Sequence, residues 1–162
     1  MKTLLLMRHA KSSWDHAGLT DHERPLNKRG QKAAPLMGRL LKEKDLVPEI
    51  IISSTAVRAQ ETAALVQEAS EYTGKIQSIA DIYEAAPSTY IKIIKTIENQ
   101  YQRVLVIGHN PGMESLVTKL TGLYERFPTA AIAHLELPID HWTDLKNATK
   151  TKMVDLFRPK EL

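Results

Sequence analysis

Four side chains suited to holding and attacking an oxyanion fall at three separate places in this sequence. Arg8 and His9 stand together after an apolar run. Arg58 follows Ser53-Ser54-Thr55, and His109 lies within Gly108-His109-Asn110-Pro111-Gly112. A neutral imidazole nitrogen is a good nucleophile near neutral pH. Arginine keeps its charge, and its planar fork takes two oxygens of a phosphate at once. Singly, each has an ordinary reading. A histidine at a strand end packs or faces solvent, Arg58 is a helix-surface charge, and Ser53, Ser54 and Thr55 are no more than helix caps. Their joint meaning depends on where the chain puts them.

The hydrophobic pattern supplies that placement. Lys2 to Met7 is a short apolar run without a period, as expected of a strand buried on both faces, and Glu49 to Ser53 and Arg103 to Ile107 repeat it. A further extended segment spans Lys75 to Ile79. Ala131 to Leu137 alternates, with His134 and Glu136 opposite Ala133, Leu135 and Leu137, and Met153 to Phe157 reads as a last strand. A helix is expected over Lys28 to Lys44, with Ala33, Leu36, Met37, Leu40 and Leu41 on one face and Pro35 bending it or delaying its start. A second begins at Thr55 as cap, with Ala59, Thr62, Ala63, Val66 and Ala69 inward. Ser88 caps a third that carries Ile91, Ile94 and Ile97 and ends near Gln100. Asn110 and Pro111 start a fourth, whose Met113, Leu116, Val117 and Leu120 face the core.

Strands separated by helices predict a three-layer α/β/α sandwich around a mostly parallel sheet, in a single domain over residues 1–162. The exits of parallel strands share one edge. Two arginines, two histidines and the N–H groups of helix starts are therefore expected in one cleft, a setting for a tetrahedral dianion.

Composition narrows the alternatives. There is no cysteine, which removes disulfides, iron–sulfur ligation and cysteine nucleophiles. The 22 Lys plus Arg against 19 Asp plus Glu leave a formal +3, too little to imply a nucleic-acid footprint. The densest basic stretch, Lys146 to Lys160, reads as a solvated rim and tail. No apolar run is long enough for a signal peptide or a membrane span, so no membrane association and a cytoplasmic location are expected. No GxGxxG spacing and no P-loop lysine favour nucleotide binding. His9 and His109 with nearby carboxylates could in principle ligate zinc; two adjacent arginines would repel the ion, and no HExxH pair occurs.

A resemblance then makes the reading specific. Leu6-Met7-Arg8-His9-Ala10-Lys11-Ser12-Ser13-Trp14 resembles the signature of the histidine phosphatase (phosphoglycerate-mutase-like) superfamily. The Ala10 version with Lys-Ser and Trp14 is similar to small phosphohistidine phosphatases of the SixA type. The likeness continues through Arg24 to Gly30, Ser53 to Thr62, Ile107 to Gly112, Phe127 to Ala131 and Trp142. It implies a phosphoglycerate-mutase-like fold with His9 as nucleophile, Arg8, Arg58 and His109 around the phosphate, and neither metal nor organic cofactor. Glu84, in Asp81-Ile82-Tyr83-Glu84-Ala85, falls about where larger relatives carry a general acid, and a solvent-facing loop carboxylate is its other reading. Asp15 stands where many relatives have asparagine. It is expected to point away or to pair with Lys11 or Arg24, while Arg29 has either a phosphate-contacting or a loop-anchoring role.

Ser78 to Ser88 is too short for the covering insertion of mutases and sugar bisphosphatases, so an uncovered cleft is expected. That suits a phosphorylated protein, such as a histidine-phosphotransfer domain in signal transduction. The alternatives are a small phosphoester substrate, or a phosphate-binding module without turnover.

Overall fold

The computed structural model describes residues 1–147 and 150–162. Six strands form one sheet: β1 (Lys2–Arg8), β2 (Ile50–Ser54), β3 (Ile76–Ile79), β4 (Arg103–Gly108), β5 (Ile132–Leu137) and β6 (Lys152–Phe157). Their spatial order is β3-β2-β4-β1-β5-β6. β1, β2, β3 and β4 run parallel, whereas β5 is antiparallel to β1 and β6 to β5. Four helices cover the sheet: α1 (Lys28–Glu43), α2 (Val57–Ser70), α3 (Pro87–Ile94) and α4 (Gly112–Thr121).

Alternation within buried strands builds a core on each face. Leu5, Met7, Ile51, Leu105 and Ile107 pack beneath α1 and α2. Leu4, Leu6, Ile52, Val104 and Val106 pack beneath α3 and α4, joined by Phe127 and Trp142. The result is the expected α/β/α sandwich. β4 lies between β1 and β2, so the exits carrying His109, His9 and Arg58 are neighbours on one edge.

Several local expectations are corrected. α1 runs unbroken through Pro35, with Asn27 Oδ1 accepting from the Gly30 N–H at 2.9 Å as its cap. Pro35 removes one donor, but the Gln31 carbonyl that loses it belongs to an exposed residue open to hydration. The buried face of α1 uses Ala34 and Gly38, while Ala33 and Leu36 are half-buried. The close approach of α2 decides this. A Cβ at Gly38 would lie 2.8 Å from Ala69 Cβ and 2.9 Å from the Val66 carbonyl oxygen.

Thr55 does not cap α2. The Ala56 N–H donates to Ser54 Oγ (3.1 Å), and Thr55 Oγ1 bonds His22 Nε2 (2.9 Å). Ser88 lies inside α3, which starts on Pro87 and stops at Ile94 rather than near Gln100. α4 begins at Gly112, and Asn110 Oδ1 still accepts from the Glu114 N–H at 3.2 Å. Lys146 to Lys160, read as a basic rim, includes the two residues outside the described ones. Among the described residues no helix is long and apolar enough to cross a membrane.

Candidate active site

The strand exits are tied together by backbone before any side chain acts. His9 N–H donates to the Gly108 carbonyl (3.0 Å), and the Ala130 N–H donates to the carbonyls of Arg8 and His9 (both 3.0 Å). Ala10 N–H donates to Thr62 Oγ1 (3.0 Å), whose own proton goes to the Arg58 carbonyl (2.7 Å). Thr62 thus locks the exit of β1 onto the first turns of α2. At the exit of β4, the His109 N–H donates to the Tyr90 hydroxyl at 3.1 Å. Gly108 makes that contact possible, since a Cβ there would stand 2.1 Å from the Tyr90 oxygen.

His9 is 7% exposed, and its two ring nitrogens face different partners. Nδ1 lies 2.7 Å from the Ala10 carbonyl, which can only accept, so Nδ1 carries the proton. Nε2 lies 3.4 Å from Arg58 Nε, which can only donate, so Nε2 presents its lone pair. The rings of His9 and His109 are 5.1 Å apart. Burial is the main cause that lowers His9 to about 3, with the charges of His109, Arg58 and Arg8 adding to it against the Ala10 hydrogen bond. Burial also lowers His109 to about 4, with Arg58 contributing. Both imidazoles are therefore neutral at pH 7.

Two buried polar atoms here have no partner among the described residues: Arg8 Nε and His109 Nδ1. Arg8 Nη1 donates to the Phe127 carbonyl at 3.3 Å, and His109 Nε2 lies 2.8 Å from Ser54 Oγ. Burial pulls the Arg8 guanidinium below its ordinary value, and neighbouring Arg58 acts in the same direction. A partly buried cation with a donor left unpaired among the described residues suits an anion.

The structure brings Arg8, His9, Arg58 and His109 together. Above them is a cleft of about 510 Å³ lined by Arg58, His109, Asp21, Tyr83 and Glu84. Glu84 is exposed, and its backbone is left-handed (φ 59°). Asp15 is exposed as well, and its N–H donates to Ser13 Oγ (3.1 Å). Arg24, one of the partners expected for Asp15, is committed elsewhere, to Asp21 Oδ1 (2.6 Å), the Ser13 carbonyl (3.0 Å) and Ser12 Oγ. Its guanidinium also stacks 3.3 Å from the ring of Trp14.

Asp21 is the participant that sequence reasoning missed. Its carboxylate takes Arg58 Nη2 (3.1 Å) and the Tyr83 hydroxyl, and its carbonyl takes Arg58 Nη1 (2.7 Å). These contacts, the Tyr83 hydrogen bond foremost and then Arg24 and Arg58, hold Asp21 well below the usual carboxylate range. The bridge joins the first loop to the segment after β3, so two walls of the cleft meet across it. Its signal was present but weak: Thr20-Asp21-His22-Glu23 forms a capping box, with the Thr20 N–H donating to Glu23 Oε1 at 3.0 Å. Among the described residues, no group of three or more His, Asp and Glu is arranged to hold a metal ion.

A neutral imidazole with a lone pair beside arginines, at the end of parallel strands, suits an α/β protein that handles phosphoryl groups. Residues 4–88 match the histidine phosphatase superfamily (branch 1). The chain belongs to that superfamily, and phosphatase chemistry at that level is its activity. An uncharacterised protein of Mycobacterium tuberculosis is 33% identical over 153 residues, covering 86% of this chain and 92% of the relative. The solved structure of a candidate phosphohistidine phosphatase SixA from Agrobacterium tumefaciens superposes with a TM-score of 0.84 at 29% identity, covering 98% of each chain. A protein histidine phosphatase SixA complexed with tungstate shares the fold, with a TM-score of 0.84 at 23% identity and 98% of each chain covered.

Proposed function

We propose that this chain removes phosphate from phosphohistidine in proteins through a covalent intermediate on His9. The observation that carries the reading is the differentiated His9 ring, with Nδ1–H held by the Ala10 carbonyl and the Nε2 lone pair beside Arg58. In the first step Nε2 attacks phosphorus while the bond from phosphorus to the substrate imidazole breaks. The substrate imidazole leaves neutral, on the proton its other ring nitrogen already carries, so no strong acid is needed. Water then attacks the phosphohistidine, releases phosphate and returns the lone pair to Nε2. Arg8, Arg58 and His109 stabilise the charge on the transferring oxygens, and Arg8 Nε is a donor with no other partner among the described residues.

Protein substrates and a role in signalling are supported by the shape around the cleft. The connection from β3 to α3 runs only from Ala80 to Ala86, too short for a covering domain. The first loop exposes Trp14 (76%) and Leu19 (41%), apolar groups suited to a macromolecular contact. Turnover in the cytoplasm without a cofactor belongs to the same reading.

The test is phosphate release from a phosphohistidine protein, phosphoserine and a chromogenic phosphate ester. Wild type is expected to prefer the first and to form an acid-labile, alkali-stable phosphoenzyme that is absent in His9→Ala. Turnover surviving in His9→Ala overturns the mechanism. The position of Glu84 on the cleft wall with Arg58 and His109 favours a second reading, small phosphoesters with Glu84 as the acid. Glu84→Gln is expected to cost less than about tenfold on phosphohistidine and more on an alkyl phosphate.

A further inference from the structure

Another cavity, of about 260 Å³, is lined by Lys11, Arg29, Arg126, Arg158 and Lys160 against Glu161. Four separate segments of the chain supply these cations: the first loop, the start of α1, the loop before β5 and the C-terminal segment. Arg158 is anchored, donating to the Arg126 carbonyl (3.0 Å) and pairing with Glu125 (3.1 Å) and Glu161 (3.3 Å). The side chains of Lys11, Arg29, Arg126 and Lys160 are in no ion pair among the described residues, and all four residues are exposed. The groove therefore gathers more net positive charge than the +3 of the whole chain.

Local electrostatics runs against the fold here. α1 opens on Lys28 and Arg29 with no acidic residue in its first turn. Cations there oppose the helix dipole, an arrangement that weakens an isolated helix and strengthens attraction for an anion. The groove is tied to the phosphate site through chain neighbours. Lys11 follows His9 by two positions, Arg126 precedes Phe127, whose carbonyl takes Arg8 Nη1, and Thr129 precedes Ala130, which holds the Arg8 and His9 carbonyls.

We propose that this groove docks an acidic, glutamate- and aspartate-rich surface of the phosphorylated protein substrate. The proposal rests on the phosphoprotein reading above and adds the partner's chemistry. Complementary charge beside the nucleophile raises the encounter rate with an acidic partner and leaves the chemical step untouched. Arg29, read from sequence as contacting phosphate or anchoring a loop, becomes a docking residue.

Binding is tested without turnover, in the full chain carrying His9→Ala, by fluorescence anisotropy of a labelled glutamate-rich peptide at low salt. Arg126→Glu with Lys160→Glu is compared with Lys92→Glu with Lys95→Glu, which changes net charge equally on α3 and its cap. The expected result is peptide binding that salt weakens, that the α3 variant keeps and that the groove variant loses by about tenfold or more. No binding to the parent, equal loss in both variants, or tighter binding of a single-stranded oligonucleotide overturns the proposal.

In the otherwise wild-type chain, the groove variant is expected to lower kcat/KM on an acidic phosphohistidine protein about tenfold and to stay within about twofold on the chromogenic ester. A parallel fall on both substrates also overturns it. Failure of the phosphoprotein reading would look different, as peptide binding intact with no phosphate released from the protein.

Discussion

The two edges of the sheet handle buried polar groups in opposite ways. At the edge where β1 and β4 end, Arg8 Nε and His109 Nδ1 are buried without partners, and two histidines are held neutral by burial. At the edge where β1 begins, Lys2 is fully buried with its Nζ donating to the carbonyls of Asn99 (2.7 Å) and Tyr101 (3.2 Å), 5.5 Å from the ring centre of Trp142. Trp142 Nε1 closes the arrangement on the Tyr101 carbonyl at 2.7 Å. One edge pairs its polar groups within the fold, and the other leaves these two atoms without a partner among the described residues.

Arg8→Met is the strongest way to break this contrast. It removes a partly buried cation with an unpaired Nε and should lower kcat/KM on a chromogenic ester by about a hundredfold or more. Thermal stability should hold or rise, because the desolvated charge is gone. A melting temperature that drops instead would mean Arg8 serves the fold as Lys2 does.

The pH dependence of stability should single out the same edge. In the unfolded chain both histidines titrate near ~6.5, while in the folded chain burial has lowered His9 to about 3 and His109 to about 4. Below ~6.5 the unfolded chain binds protons that the folded one refuses, so this part of the stability is whole above that pH. It declines as pH falls toward the folded values, by about 1.4 kcal/mol per pH unit for each histidine. Urea midpoints at pH 7 and pH 5 should therefore separate more for wild type than for His109→Asn. Equal separation would place the acid sensitivity elsewhere.

Lys2→Met gives the smallest and most selective effect. The Asn99 carbonyl loses its Nζ donor, and a stability loss of about 1–3 kcal/mol is expected. Activity at a temperature where the variant is folded should stay within about twofold of wild type, since this edge lies at the opposite end of β1 from His9. A selective fall in kcat would show that the two edges are coupled.

Much of the site was legible because its carriers sit where local pattern is strongest. Three unbroken apolar runs ended at Arg8-His9, Ser53-Ser54 and Gly108-His109, and parallel pairing put those ends side by side. Asp21, Tyr83 and Tyr90 were not legible. Asp21 lies in a polar loop without periodicity, and its partners Arg58 and Tyr83 are far along the chain. Tyr90 is a fully buried residue of α3 with no motif around it, yet its hydroxyl holds the His109 N–H through the gap left by Gly108. The same holds for the caps. Thr55 had the right residue type, but His22 arrives from the first loop and takes its hydroxyl.

By itself the sequence determined the strands, the sheet-edge position of Arg8, His9, Arg58 and His109, and the kind of chemistry those residue types allow. Those features follow from short-range periodicity and from side-chain chemistry that needs no neighbour to define it. Only the tertiary structure decided which nitrogen of His9 carries the proton, which carboxylate faces Arg58, and that Lys11, Arg29, Arg126, Arg158 and Lys160 line one groove. Hydrogen-bond direction and charge density depend on distances between chain segments, and the fold alone sets those.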